Sequence, residues 1–400
     1  MAVLACFKDK WARNDIAGVC EKYGGVRRRE IVQSLADHDW GARLDAAESI
    51  ACELEQRVED YLASGDYNVL DIDPPAVKRR HDKTTGKIRD IAHLCVWHQL
   101  YGHLVARGLD PLFDAKFIPT QYASIPGKGS TALVSDARKM MRSQSLNVRY
   151  AVKTDFRSAY ASVKYDRVTE LLQKMIPEAD WIIGLMHALA RASPSGSLII
   201  GGYIDALLFN LVLSDILRHT LELRKTRREK STRLVSRIIS QMDDLAFCGS
   251  RLADVKSAVR YAGEYARDNY GMHIVVKNEI KFLSAREEIA RKGAAKPSGR
   301  ACPSLDISGY RISHTHVTLR RTTFLRIRGA VIKAQHSIAE SGTMPLSTAQ
   351  KIISYAGRLE CADSHNFDTK YDFGKIKKLA TGAVAYNAKK ECKNAKHNGF

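Results

Sequence analysis

The 400-residue chain is short of acid: 44 Asp and Glu stand against 63 Lys and Arg, a formal net charge of +19. A surplus of this size calls for a polyanionic partner. Nucleic acid leads over an anionic membrane, because no basic amphipathic anchor stands out. Metal-type cysteine pairs are also missing. The eight cysteines are scattered with no Cys-x-x-Cys, which argues against zinc and a dense disulfide framework and fits a reducing cytoplasm. Long apolar runs are absent too. The most apolar stretch, Ala192 to Ser214, carries Asp205 and is broken by Pro194, Gly196, Gly201 and Gly202, so it reads as a buried loop and helix rather than a membrane span. Met1 to Cys6 has no basic start and too short an apolar run for a signal peptide. There is no internal repeat. Gly127-Lys128 lacks the glycine five residues upstream that a Walker loop requires.

What is present is mostly helical pattern, interrupted at informative places. Residues 1–75 read as helices, with Leu44, Ala47, Ile50, Leu54 and Val58 at helical spacing and a break at Asp71-Ile-Asp-Pro-Pro75. Val77 to Ile91 reads as a basic hairpin around Thr84-Thr85-Gly86, and a helix is expected from about Ala92 to Ala106. Phe117 to Ser130 is loop-rich and opens a helix, and its Lys128 and backbone N–H groups suit a phosphate. Arg149 to Phe156 alternates like a strand ending on Asp155, followed by helical pattern from Tyr160 to Lys174 and on to Arg191. After a glycine-rich stretch, Ile204 to Arg218 is an apolar helix and Leu221 to Arg233 a charged connection. Ala253 to Asn269 is amphipathic, Tyr270 to Lys277 turns into a strand, and Glu287 to Pro303 reads as a mobile basic loop. Ile307 to Arg320 reads as a small hairpin, the rest is mostly helical, and Lys389 to Phe400 is a basic tail prone to fraying.

The chain's only Asp-Asp pair lies in Arg237-Ile-Ile-Ser-Gln-Met-Asp-Asp-Leu-Ala-Phe-Cys-Gly249. Apolar, β-favouring residues on both sides predict a strand, a tight turn holding Asp243-Asp244, and a return strand. Two adjacent carboxylates repel, and a hard divalent cation such as magnesium would offset this. Taken alone, the pair also fits an ordinary acidic turn. Asp155 lies 88 residues upstream at a strand end, and an antiparallel sheet would bring it to the same edge. Acids so placed, with Lys and Arg nearby, make a sufficient set for phosphoryl transfer on two divalent ions.

At this point a resemblance emerges, covering about residues 75 to 365, to reverse transcriptases of bacterial and phage type. Lys87-Ile-Arg89 looks like the fingers motif that grips the incoming triphosphate, and Gln121 to Gly129 resembles the next fingers block. Lys153-Thr-Asp-Phe-Arg-Ser-Ala-Tyr160 looks like the first palm motif, and Ile200 to Asn210 the glycine-bearing segment under template and nucleotide. Gln241-Met-Asp-Asp244 matches the catalytic hairpin, Gly271 to Lys277 the block after it, Ile307-Ser-Gly-Tyr310 the primer grip, and Ser354-Tyr-Ala-Gly357 a thumb motif. Each is weak alone. Their shared order in a basic chain is the stronger signal.

The resemblance implies an α+β right-hand polymerase: a helical extension over 1–75, fingers over 76–150, palm over 151–300 and thumb over 301–400. It implies catalytic Asp155, Asp243 and Asp244. Asp155, Asp243 and the Phe156 carbonyl would hold two Mg2+ ions, with Mn2+ as a substitute. Lys87, Arg89, Tyr160, Gly201, Gly202 and Lys277 would meet the nucleotide, Tyr160 as a gate against the 2′-hydroxyl. Gln241, Lys128, Gly309 and Tyr310 would meet nucleic acid. Implied partners are a structured non-coding RNA template, the DNA product and dNTPs, with no membrane and with an accessory protein or a second copy as further options. The implied setting is antiphage defence. A diversity-generating retroelement enzyme making mutagenic cDNA and a non-enzymatic nucleic-acid scaffold stay open. Gln241 stands where an aromatic is usual, Ile199-Ile200 where Pro-Gln is usual, and Asp205-Ala206 where Ser-Pro or Ser-Gln is common. Asp205 is therefore a candidate to alter metal, nucleotide or template contacts.

Overall fold

The computed structural model describes residues 1–81, 88–293 and 302–397. Four helices come first, α1 (Ala2–Phe7), α2 (Asn14–Gly24), α3 (Arg28–Ala36) and α4 (Gly41–Ser64). A basic hairpin, β1 (Ala76–His81) and β2 (Ile88–His93), leads to α5 (Val96–Lys116) and α6 (Ser130–Arg142). Then follow β3 (Tyr150–Arg157), α7 (Ala159–Ser162), α8 (Tyr165–Met175), α9 (Asp180–Ala192) and α10 (Tyr203–Glu222). Next come β4 (Arg224–Arg227), β5 (Lys230–Arg233), β6 (Arg237–Gln241), β7 (Asp244–Gly249), α11 (Leu252–Tyr270), β8 (His273–Lys281) and α12 (Ala285–Gly293). The chain continues through β9 (Leu305–Ile307), β10 (Tyr310–Ile312) and β11 (Val317–Leu319) to α13 (Arg321–Ser341), α14 (Leu346–Glu360), α15 (His365–Tyr371) and α16 (Phe373–His397). The architecture is mixed, helical with small antiparallel sheets.

The organising element is a four-stranded antiparallel sheet in the order β6-β7-β3-β8. Successive strand residues point to opposite faces, so a sheet covered on both sides needs apolar residues at every position. Strand β7 meets this demand. Leu245 and Phe247 enter one core with the helices α1–α5 and α8–α11, while Ala246 and Cys248 enter a second core with α6 and the β9–β11 sheet. Ile238 and Ile239 of β6 divide the same way. Residues 1–75 have no core of their own: Ile50, Leu54 and Leu70 share the first cluster with Phe247. A third cluster joins α13 to α16 through Ile327, Ile352 and Phe373.

Three local expectations change. The helix expected from Tyr160 to Lys174 is split at Val163-Lys164, where the backbone bonds across to the 193–199 loop (Leu198 N to Val163 O, 2.9 Å). The charged connection at 221–233 is a regular hairpin, β4–β5. The stretch expected to be mobile begins as α12, because Ser284 and Glu287 cap each other and Glu288 is buried. Its carboxylate accepts bonds from Ser313 Oγ, His314 N and Thr315 N. Among the described residues, no helix is long and apolar enough to cross a membrane.

Candidate active site

The turn between β6 and β7 is two residues long, Met242 and Asp243, with Gln241 paired to Asp244. Met242 takes φ +55°, a left-handed conformation that disfavours a large side chain. Buried Ser240 steadies it, its hydroxyl donating to the Met242 carbonyl at 3.1 Å. The outer side of β6 is also held: Ser240 N donates to Thr120 O and Tyr122 N to Ser240 O. Gln121, fully buried between them, donates to Asn210 O on α10 and accepts from Ile118 N and Ser214 Oγ. The turn is thus fixed from both sides.

Strand β3 lies beside β7 with Thr154 opposite Leu245, so Asp155 comes one step further, at the turn end. Its pairing with β7 stops there, leaving the main chain of Asp155–Arg157 outside the ladder on that side. The Phe156 ring is buried, so only its main chain is available to a ligand.

The sheet thereby gathers three carboxylates, and each faces a cation. Lys277 Nζ is 3.4 Å from Asp155 Oδ2, and Lys153 Nζ is 3.1 Å from Asp244 Oδ1. Burial first, and the Asp155 carboxylate second, push the Asp243 carboxyl above the usual range, while the Arg89 guanidinium works the other way. Burial likewise raises Asp244, against the pull of Lys153. Lys153, quoted in the sequence motif but given no role, also donates to the Asp306 carbonyl, and Arg320 grips the Asp306 side chain. The acid sheet is thereby tied to β9–β10.

A magnesium ion fits this donor set. Asp155 and Asp243 are hard oxygen ligands whose mutual repulsion a divalent cation relieves, and Mg2+ commonly takes one or two carboxylates, leaving other positions to water and phosphate. Among the described residues, no group of three or more His, Cys, Asp or Glu side chains forms a self-sufficient cage.

Tyr160 is half-buried near this centre, stacked on Phe209 of α10 at 4.9 Å between centroids and 11° between planes. Burial, then Asp205 and Asp243, raise its phenol. Gly201 and Gly202 have internal reasons to be glycine. At φ +123°, a Cβ on Gly201 would lie 2.5 Å from the Ala92 carbonyl; one on Gly202 would lie 1.8 Å from Asp205 Oδ2. Ala92 N bonds Ile200 O at 2.9 Å, so the glycine loop carries the β1–β2 hairpin and its Arg89. Asp205 is fully buried, its Oδ1 accepting from Tyr165 OH and Ile199 N, both at 2.8 Å. It organises the loop from within and presents no surface for direct contact with nucleotide or template.

Tyr310 is 1% exposed, and its hydroxyl donates to the Arg358 carbonyl, so its ring is a core element rather than a nucleic-acid contact. Gly309, at φ +87° beside Ser308 at +51°, makes the tight turn before it. Lys128 directs its ammonium to the Pro119 carbonyl at 2.9 Å, within its own loop. Gln241 leaves Oε1 buried with no hydrogen-bond partner among the described residues. Lys87 lies outside the described residues. The sequence pattern assigned no role to Gln121, Lys153 or Ser240: the α10 partners of Gln121, the partners of Lys153, and Thr120, which Ser240 bonds through its main chain, are distant in the chain.

Comparisons with known proteins add little. No family model and no curated protein matches the chain. Solved telomerases are similar in shape. Apo telomerase from Candida tropicalis aligns with a TM-score of 0.47 at 12% identity, over 86% of this chain and 64% of that one. Its C-terminally truncated form gives 0.40 at 14% identity, over 62% and 55%. Telomerase from Candida albicans in complex with a TWJ fragment of telomeric RNA gives 0.39 at 9% identity, over 85% and 64%. The chain therefore spans less than two thirds of the length of these telomerases.

Proposed function

We propose that the chain is a reverse-transcriptase-like nucleotidyltransferase that extends a DNA strand on an RNA template. The observation that carries this reading is the meeting of Asp155, at the end of β3, with Asp243, in the turn that opens the neighbouring antiparallel strand β7, within the field of Arg89 from a basic hairpin. Phosphoryl transfer needs chiefly positioning and charge neutralisation, which such a site supplies. Bound magnesium would neutralise the phosphates and favour the attacking hydroxylate. Asp155 and Asp243 would hold it, with a main-chain carbonyl at Phe156, and Asp244, paired to Lys153, would keep the turn in place. Arg89 binds triphosphate oxygens. Lys277 holds a proton at Nζ for the departing pyrophosphate. The Tyr160 ring, backed by Phe209, excludes a ribose 2′-hydroxyl. A dedicated structured RNA in antiphage defence is the setting that the sequence resemblance implies.

The test uses purified protein, a primed RNA template, dNTPs and Mg2+. Asp243→Ala is expected to reduce incorporation to background with circular dichroism and RNA affinity retained. Unchanged incorporation would overturn the assignment and leave a nucleic-acid-binding scaffold. Tyr160→Ala is expected to admit ribonucleotides in the same assay. If its sugar discrimination equals that of the unaltered protein, the ring is a packing element only.

A further inference from the structure

The β4–β5 hairpin takes no part in the acid centre, yet it is the most basic compact unit among the described elements. Its ten residues hold six cations, Arg224, Lys225, Arg227, Arg228, Lys230 and Arg233, against one acid, Glu229, and no apolar side chain. All are exposed except Lys225, which is partly covered through its ion pair with Asp254 on α11. Among the described residues, none of the other five cations has an acid within ion-pair distance.

The hairpin is poorly built for its own stability. Arg224 stands directly opposite Arg233, and Arg227 opposite Lys230, which places like charges on cross-strand neighbours. Its turn puts Arg228 at φ +48° and Glu229 at φ +63°, where Asn-Gly is favoured. A two-stranded hairpin without an apolar face is marginal in water. A bond from Leu234 N to Leu223 O, 3.1 Å, closes its base, and among the described residues its one ion pair to the body is Lys225–Asp254. A ligand that sits between opposed cations reverses this balance, and that ligand is anionic.

We propose that the β4–β5 hairpin is a clamp for the phosphate backbone of nucleic acid, distinct from the acid centre. The two like-charged pairs lie three residues apart, about 10 Å along the strands. One small anion cannot satisfy both, whereas a chain of phosphates can. A lipid surface is a poorer fit, because the hairpin offers no aromatic or aliphatic residue to insert. Backbone contacts of this kind position a strand without reading its sequence. The hairpin leads into the start of β6, and the turn that carries Asp243 follows the far end of that strand. Binding needs neither metal nor acid, so this inference does not rest on the polymerase reading.

The test neutralises Arg224, Arg227, Arg228 and Arg233 to Gln, keeping Lys225 so that docking on Asp254 survives. A control neutralises four exposed cations elsewhere, Lys8, Arg28, Arg29 and Lys174, with the same charge loss. Fluorescence anisotropy follows binding of matched RNA and DNA duplexes across a salt series. The hairpin quartet is expected to weaken binding at least tenfold at low salt. It should also flatten the slope of log affinity against log salt by about 0.9 per lost duplex contact. The control should move neither, and both variants should keep the wild-type unfolding midpoint. A loss shared by RNA and DNA assigns the phosphate backbone common to both; a loss confined to one assigns that polymer. Equal weakening by the control, or unchanged binding by the quartet, overturns the proposal. So does a loss seen only with anionic phospholipid vesicles.

Discussion

Two hairpins follow one another in the chain and are built on opposite principles. In β6–β7, strand residues on both faces enter a hydrophobic core, and the strained Met242 turn is held by Ser240 and by the 117–130 loop. In β4–β5 every side chain but the partly covered Lys225 is exposed, like charges oppose each other, and among the described residues one ion pair supplies the side-chain anchorage. The first spends packing energy on holding repelling acids at a fixed place. The second keeps repelling cations exposed, where mobile counter-ions screen them. A site that positions metal and substrate needs rigid elements. A surface that tracks a backbone needs only charge at the right spacing.

The sharpest way to break this contrast is Phe247→Ala on β7. It removes a fully buried ring, and a loss of about 3–5 kcal/mol in denaturant unfolding is expected. A loss under about 1 kcal/mol would mean that the sheet is not the keystone.

Asp205 extends the contrast to a buried charge. Burial raises its carboxyl to about 6. An acid with a raised folded-state value binds its proton more tightly when folded. Stability linked to this group is therefore present at low pH and lost as pH climbs from the ordinary carboxylate range through about 6. Asp205→Asn should flatten that decline, gaining roughly 1–3 kcal/mol over the parent above the transition. Urea unfolding at pH 4 and pH 8 checks it, and an undiminished decline in the variant would exclude Asp205 as its source.

The smallest effect belongs to the exposed hairpin. Arg224→Gln with Arg233→Gln should change folding stability by no more than about 0.5 kcal/mol, as surface substitutions do. Thermal unfolding measures it. A fall of several kcal/mol would show that the hairpin supports the fold and would erase the difference from β6–β7.

Much of the candidate site was legible because its signals are local. The apolar runs around Asp243-Asp244 specify strand, turn and strand, and the alternation in Arg149 to Phe156 specifies the strand that ends on Asp155. The β4–β5 hairpin was not legible, since a run of Arg, Lys, Thr and Ser has no period-2 burial to announce a strand. Nor was the burial of Tyr310, because exposure of an aromatic in a short hairpin depends on what packs over it, here α14 through Arg358. Gly201 and Gly202 were expected to meet the nucleotide, whereas the neighbours that require glycine there, the Ala92 carbonyl and the Asp205 carboxylate, are given only by the fold.

By itself the sequence determined the chemical inventory: a surplus of cations, one Asp-Asp turn, a strand-end Asp155 and the helices around them. Each rests on charge or on patterns within a few residues, which local sterics and burial periodicity govern. The tertiary structure decided which groups meet. Asp155 reaches Asp243 across 88 residues only because β3 and β7 each have two apolar faces to bury and so pair at the centre of the sheet. The sheet likewise brings Lys277 and Lys153 to the acids, while Asp205 is turned inward by Tyr165 and Ile199 and the β4–β5 hairpin stands outside the sheet.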